Sequence, residues 1–240
     1  MTPGELVAPA LGSGAMFDRI AARYDTMNRV LSLGLDRGWR RRTVRALHLG
    51  ERPRVLDLAT GTADLAIDIA RACPGAEVIG LDPSPQMLAV AHAKLVRRGL
   101  ADRIALVRGD AQQLPYASCE MDAATIAFGI RNVPDRPAAL REMARVVRPG
   151  GRIAVLELGE PGGGLLGRVA RFHCRHVVPQ LGALLSGARE YRYLQRSIAA
   201  FPPSAEFAEV MERAGLHVIE VVPLTFGVCT LYVATPLEAT

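Results

Sequence analysis

The chain has 240 residues, of which 50% are hydrophobic and 22% charged. This length and composition fit one α/β domain, alone or with an inserted lid, that fills its core without disulfides or metal ions. The formal charge of +5 suits contact with nucleic acid or an anionic membrane. Basic residues also commonly form a helix face exposed to solvent, so charge alone assigns no partner.

Cysteine spacing and hydropathy exclude several further classes. The four cysteines are scattered without a Cys-x-x-Cys pair, so we expect no metal site, no disulfide framework and a reduced cytoplasmic setting. No apolar run approaches the ~18 residues that span a bilayer. Residues 1–15 lack a basic stretch ahead of an apolar one, so we expect a flexible tail rather than a signal peptide. The cysteines are Cys73, Cys119, Cys174 and Cys229.

Two helices are predicted first. Apolar residues recur at steps of three and four over 17–31, which indicates a helix with one apolar face. A second, arginine-rich helix follows over 37–47. Both precede the first predicted strand. We expect residues 16–47 to cover the substrate together with the later segment 159–201, within one domain spanning 16–240.

Strand and helix then alternate. Strands are predicted at 55–58, 78–81, 104–107, 122–127 and 152–157, with helices ending at 72 and spanning 84–98 and 136–147. After the glycine-rich and helical segment 159–201, a helix at 205–214 precedes a hairpin of strands 218–222 and 228–234. This order predicts an α/β fold with a mostly parallel, seven-stranded sheet and right-handed crossovers.

The turn after the first strand carries the most specific local signal. It reads Asp57-x-Ala59-x-Gly61-x-Ala63, and Asp82 ends the next strand. A dinucleotide needs Gly-x-Gly-x-x-Gly for its pyrophosphate, whereas an acid here suits a cationic amino-acid or sulfonium group, and Asp82 can accept hydrogen bonds from a ribose diol. The turn resembles the first motif of class I S-adenosylmethionine (SAM) methyltransferases, a Rossmann-like fold; an ordinary strand-turn-helix connection is the alternative.

Two further strand ends add to this pattern. Asp110 and Ala111 follow the third strand, where an acid can accept a hydrogen bond from an adenine amino group. Arg131 and Asn132 follow the fourth strand. Arg131 stays protonated and therefore suits stabilisation of an oxyanion rather than a role as a base; its alternative is an ion pair with an acid such as Glu157 or Asp135. The Asp/Asn-Pro-Pro-aromatic motif of nucleic-acid amino methyltransferases is missing here.

Four segments together resemble the menaquinone/ubiquinone-biosynthesis C-methyltransferases, which methylate demethylmenaquinone or a polyprenyl-methoxybenzoquinol. The resemblance extends from about residue 16 to residue 234. The segments are Phe17-Asp18-x-Ile20-Ala21-x-x-Tyr24-Asp25-x-Met27-Asn28 with Ser32-x-Gly34 and Trp39-Arg40, then Phe128-Gly129-Ile130-Arg131-Asn132-Val133, then Tyr191-Arg192-Tyr193-Leu194-x-x-Ser197-Ile198-x-x-Phe201-Pro202, and Leu224-Thr225-x-Gly227.

The resemblance implies SAM as methyl donor, with contacts at Thr62, Asp82, Asp110 and Ala111 beside Asp57 and Gly61. Three positions depart from the family pattern. Ala127 replaces a serine that contacts the cofactor, Ala63 replaces a frequent glycine, and Leu231-Tyr232-Val233 replaces a pattern with histidine and glycine.

The implied reaction is C-methylation of a prenylated quinol ring, with demethylmenaquinol as first choice and a benzoquinol as second. Arg131 and Asn132 would stabilise the quinolate, and Tyr193 or a water would relay its proton. The lipophilic substrate implies transient association with the inner face of the cytoplasmic membrane, without nucleic acid and with the oligomeric state open. The alternatives are methylation of another aromatic or prenylated small molecule, a basic nucleic-acid-binding protein, and a non-catalytic SAM-binding protein.

Overall fold

The computed structural model describes residues 17–159 and 188–237. Its strands are β1 (Arg54–Leu58), β2 (Glu77–Asp82), β3 (Ile104–Arg108), β4 (Met121–Ala127), β5 (Val147–Leu158), β6 (Leu216–Leu224) and β7 (Cys229–Pro236). Its helices are α1 (Tyr24–Leu31), α2 (Asp36–Ala46), α3 (Asp64–Ala72), α4 (Pro85–Arg97), α5 (Arg136–Val146), α6 (Ala188–Ala199) and α7 (Ser204–Arg213).

All seven strands form one sheet in the order β3-β2-β1-β4-β5-β7-β6. The pairs among β1 to β5 are parallel, and β7 runs antiparallel to both β5 and β6. The central strands are apolar on both faces because helices cover both sides of the sheet. The predicted fold class, including the mostly parallel seven-stranded sheet and the final hairpin, is confirmed.

Two helices begin where their sequence provides a cap. Ser84 Oγ accepts a hydrogen bond from the Met87 amide at 3.1 Å, and Pro85 follows as the first residue of α4. Asp135 accepts from the Ala138 amide at 2.8 Å at the start of α5. Because a side-chain acceptor satisfies an amide left open by the first helical turn, these residues set where each helix starts.

The N-terminal helix is less regular than predicted. Residues 17–20 are helical, Ala21–Arg23 form a 3-10 turn, and α1 continues from Tyr24. A 3-10 turn has fewer residues per turn than an α-helix and therefore rotates the side chains that follow. The apolar face nevertheless packs as expected, with Ile20, Ala21 and Met27 buried against Met87 of α4.

Several expectations fall partly outside the described residues. They are the tail 1–15, most of the segment 159–201, and Cys174. Within 17–159 and 188–237, no helix is both long and apolar enough to cross a bilayer. The same residues contain no group of three or more histidine, cysteine or acidic side chains arranged to hold a metal ion.

Candidate active site

The loop between β1 and α3 takes the left-handed backbone conformation at alternate residues. The φ angles are +47° at Ala59, +56° at Gly61 and +65° at Ala63. A left-handed conformation costs an L-residue about 1–2 kcal/mol and costs glycine little. Glycine would therefore suit all three of these positions. This chain adopts the left-handed conformation at all three although two of them are alanines, and Ala63, the residue before α3, is fully buried.

Asp57 lies at the base of this loop and is buried. Its two carboxylate oxygens accept hydrogen bonds from Thr60 Oγ1 and Thr125 Oγ1, both at 2.7 Å. Burial raises the pKa of the Asp57 carboxyl to about 6, although these two hydrogen bonds oppose the shift. Asp57 also lines the cavity under the loop. A cation bound there would favour its ionised form.

Asp82, at the end of β2, holds the loop in place. It accepts hydrogen bonds from the Gly61 amide at 2.8 Å and from the Ser84 amide at 2.9 Å. Burial raises the pKa of its carboxyl. Each carboxylate oxygen has more than one acceptor position, so these bonds leave room for a ribose hydroxyl.

The predicted adenine contacts follow β3. Asp110 is exposed and accepts from the amide and the side chain of Gln112 at 2.9 and 3.0 Å. Ala111 is buried in the core. Ala127 lies at the end of β4 and lines the cavity together with Thr62 and Gly61. The structure thus places every predicted cofactor residue at the carboxyl edge of the sheet or in the loops that follow it.

The N-terminal segment lies directly against the loop. Tyr24, Asp25 and Asn28 line the cavity, and a Cβ placed on Gly61 would lie 3.9 Å from the Tyr24 ring. Burial raises the pKa of the Tyr24 hydroxyl, and the positive charge of Arg131 opposes this shift. The cavity measures about 50 Å³, well below the roughly 300–1,000 Å³ of typical ligand pockets. The segment therefore covers the site closely.

Lys94, which sequence reasoning missed, contacts three residues that line the cavity. Its Nζ lies 2.9 Å from Thr62 Oγ1, 2.9 Å from Asp64 Oδ1 and 2.5 Å from Asp25 Oδ2, and the residue is 4% exposed. It is also the single lysine among 29 basic residues. The sequence signal that could have identified it is this composition, because every other basic residue of the Lys+Arg count is an arginine.

Arg131 is paired with an acid, as the alternative interpretation anticipated. Its Nη1 contacts Glu157 Oε1 and donates to the Phe128 carbonyl at 2.7 Å, and both charged side chains are buried. The Arg131 amide also donates to Glu157 at 3.2 Å. The Nε edge remains directed to α6, where Ser197 Oγ lies 3.4 Å away. Glu157 therefore balances the charge of Arg131.

Asn132 and Tyr193 are brought together from positions far apart in the chain. Tyr193 Oη donates a hydrogen bond to Asn132 Oδ1 at 3.0 Å. Asn132 Nδ2 lies 3.4 Å from the Phe128 carbonyl. Tyr193 and Ser197 are one turn apart and thus share a face of α6. The three predicted catalytic residues accordingly converge where the 3-10 turn Ile130–Asn132 meets α6.

The lining of the cavity fits a cofactor that carries positive charge. Its acidic residues are Asp25, Asp36, Asp57 and Asp64, and Arg40 pairs with Asp36 at 2.6 Å. Asp25 and Asp64 pair with Lys94, so in the described residues Asp57 is the lining acid without an ion pair. Its carboxylate suits an ammonium or sulfonium group of SAM and would repel a pyrophosphate.

Comparison with known proteins agrees with this chemistry. Residues 12–236 match the ubiE/COQ5 methyltransferase family. The chain is 47% identical to "Ubiquinone/menaquinone biosynthesis C-methyltransferase UbiE" of Syntrophotalea carbinolica, over 93% of this chain and 94% of that protein. It is 48% identical to "Demethylmenaquinone methyltransferase" of Thermus thermophilus, over 91% of this chain and 98% of that protein.

Solved structures share the fold at lower identity. A SAM-dependent methyltransferase from Aquifex aeolicus aligns with a TM-score of 0.60 and 18% identity, over 81% of this chain and 88% of that one. The cyclase SpnF aligns with a TM-score of 0.59 and 19% identity, over 94% of this chain and 96% of that one. Since a cyclase shares the fold, the fold alone does not assign the reaction. The sequence matches do assign the family, and the chain belongs to the ubiE/COQ5 methyltransferase family.

Proposed function

We propose that this methyltransferase transfers the methyl group of SAM to a ring carbon of a prenylated quinol, with demethylmenaquinol as its substrate. The names of the relatives support the quinol class. The observation in the structure that carries the proposal is the convergence of Arg131, Asn132 and Tyr193 at the end of β4, beside the acid-lined loop. Asp82 and Thr62 would hold the cofactor, which supplies an electrophilic methyl group when bound.

The chemistry requires an anionic quinol. A phenol-like hydroxyl ionises near pKa ~10, so the site must stabilise its oxygen as the proton leaves. We assign this role to the Nε edge of Arg131 and to Asn132, with Tyr193 or a water relaying the proton. Glu157 fixes the guanidinium in place, because a buried arginine held on one side keeps its other donors oriented.

Two segments that flank the site would form the substrate cover. Residues 17–46 lie over the loop, and α6 with residues 200 and 201 approaches the turn that carries Arg131. Closing both over the reactants would exclude water and align the methyl group with the ring carbon. A prenyl tail would leave the site toward a membrane surface, which makes transient association at the cytoplasmic face part of the proposal.

The substrate assignment can be tested with a short-tailed demethylmenaquinol analogue, kept reduced, and radiolabelled SAM. We expect label on a ring carbon, located by mass spectrometry and NMR of the product. A matched benzoquinol and an unrelated phenol measure selectivity. Label on a phenolic oxygen, or equal turnover of the unrelated phenol, would contradict the proposal. Label in RNA instead of quinol would favour a nucleic-acid-modifying protein.

The role of Arg131 needs a variant that separates folding from chemistry. Arg131→Ala leaves Glu157 buried without a partner, which typically destabilises a protein by about 3–5 kcal/mol. The double variant R131M/E157Q removes both charges together and spares that cost. We expect it to fold and bind SAM, with turnover about 10²–10³-fold lower. Turnover near that of the wild type in the folded double variant would make Arg131 a structural ion-pair partner only.

A further inference from the structure

Three large apolar side chains are exposed around the turn before α2 and the connection between β6 and β7. Leu33 is 65% exposed, Leu35 44% and Phe226 53%. Trp39 links the two regions, because its Nε1 donates to Thr225 Oγ1 at 2.8 Å and its amide bonds to the Leu35 carbonyl. Exposed apolar side chains that lie close together typically mark an interaction site.

The backbone takes the left-handed conformation at three residues of these two regions. Leu33, Thr225 and Phe226 have φ angles of +53°, +47° and +58°. For residues with a Cβ this conformation is costly and persists only where the surrounding structure requires it. The connection between β6 and β7 also lies beside the end of β5, since Cys229 pairs with Leu158. The exposed group therefore lies at the same edge of the sheet as the candidate active site.

Arginines flank Leu33 and Leu35 along the sequence. Arg29, Arg37 and Arg41 are exposed, and in the described part of the chain none of them has an ion-pair partner. Residues 17–46 contain eight arginines and three aspartates, a formal charge of +5 that equals that of the whole chain. None of the three aspartates is exposed. The exposed charged side chains of this segment are thus all arginines, whereas Asp18 and Asp25 are only partly exposed.

We propose that Leu33, Leu35, Phe226, Arg29, Arg37 and Arg41 form a docking surface for an anionic lipid bilayer. Apolar side chains would enter the headgroup region while the arginines contact lipid phosphates. The exposed leucines and phenylalanine favour a bilayer over nucleic acid, whose backbone offers them no apolar partner. The choice of a bilayer rests on the proposed function, because a prenylated quinol resides in the membrane and must reach this edge of the sheet.

Co-sedimentation with vesicles tests the surface. The full-length protein should bind vesicles of phosphatidylcholine with phosphatidylglycerol and bind vesicles of phosphatidylcholine alone far more weakly. An arginine near an anionic surface contributes about fivefold in binding, so R37Q/R41Q should lower binding by more than tenfold. The matched control R108Q/R141Q changes the same charge at exposed positions elsewhere and should bind like the wild type.

The apolar half of the surface has its own control. L33S/F226S should weaken vesicle binding, whereas Val96→Ser, at a valine that is 57% exposed on α4, should not. The wild-type protein should methylate the short-tailed quinol in solution without vesicles. That assay tests the proposed function separately from membrane binding. If the protein methylates the quinol but does not bind vesicles, only the proposed docking surface is overturned. Equal vesicle binding by R37Q/R41Q and the wild type, or binding to transfer RNA but not to vesicles, would also overturn it.

Discussion

Asp25 Oδ2 lies 2.5 Å from Lys94 Nζ, and this ion pair ties the N-terminal segment to α4 beside the cofactor loop. Thr62 completes the contact, since its hydroxyl donates to Asp25 and accepts from Lys94. The lysine also pairs with Asp64 at the start of α3. One buried cation therefore connects α1, α3 and α4 beside the loop between β1 and α3.

Replacing Lys94 should destabilise the protein strongly. Lys94→Met leaves Asp25 without its cation and Asp64 with Arg40 alone, at 3.5 Å, so we expect a loss of about 1.5–3 kcal/mol in the free energy of unfolding. Urea titration followed by circular dichroism measures the loss. Arg97→Met, at an exposed position of the same helix, should change that free energy by less than about 0.5 kcal/mol. Similar small effects from both variants would show that the buried cation is dispensable.

Asp82 should dominate recognition of the ribose. Asp82→Ala removes charge-assisted hydrogen bonds worth about 1.5–3 kcal/mol each, so SAM affinity measured by calorimetry should fall at least tenfold. Asp82→Asn should also lose affinity, because an amide group would face either the Gly61 or the Ser84 amide, where the carboxylate now accepts from both. Asp102→Asn, at an exposed site, is the matched control. Unchanged affinity in Asp82→Ala would refute the assignment.

SAM binding should release protons near pH 6 through Asp57. The pKa of its carboxyl is raised to about 6, so about half of the molecules are protonated at that pH, and a bound cation lowers the pKa. Calorimetry in two buffers of different ionisation enthalpy should detect release of up to about half a proton per SAM at pH 6. Release should vanish at pH 8, where Asp57 is already ionised. Asp57→Asn should abolish it, and equal release by that variant would exclude Asp57 as the source.

The loop and the turn after β4 are packed closely enough to couple. A Cβ on Gly129 would lie 2.6 Å from the Ala59 Cβ, so Gly129→Ala should cost about 1–3 kcal/mol of unfolding free energy. Ala59→Gly removes the opposing methyl group, and the double variant should recover about 0.5–3 kcal/mol. Gly38→Ala, where nothing lies within 4 Å of the new methyl group, is the control and should not destabilise. Strictly additive effects of Gly129→Ala and Ala59→Gly would contradict the coupling.

Tyr193 should influence turnover without affecting SAM binding. Tyr193→Phe removes the hydroxyl that donates to Asn132; proton transfer by such a group contributes about 10²–10⁴-fold. We expect turnover of the short-tailed quinol to fall by about 10²-fold or more and its pH profile to change. Tyr116→Phe, on the loop after β3, is the control and should leave the turnover and its pH profile unchanged. A smaller loss with an unaltered pH profile would mean that Tyr193 only positions Asn132.

The sequence by itself determined the order of the elements and the location of the site. Alternating apolar runs predicted the central strands and helices because burial on both faces of a parallel sheet demands them. Local motifs placed Asp57, Asp82 and Arg131 at strand ends, and parallel strands bring their carboxyl ends to one edge. The start of β5 was predicted wrongly: the strand was predicted from residue 152, whereas it begins at Val147 and includes Pro149 and Gly150.

Only the tertiary structure decided how charges are paired and what covers the loop. From the sequence, Arg131 could stabilise an oxyanion or pair with Glu157 or Asp135, and the fold brings Glu157 to it; Lys94 was not recognised as the partner of Asp25. Local spacing specifies which residues share a helix face or a strand end. Ion pairs between distant segments depend on how whole elements pack, because a buried charge must find its partner wherever the fold places one.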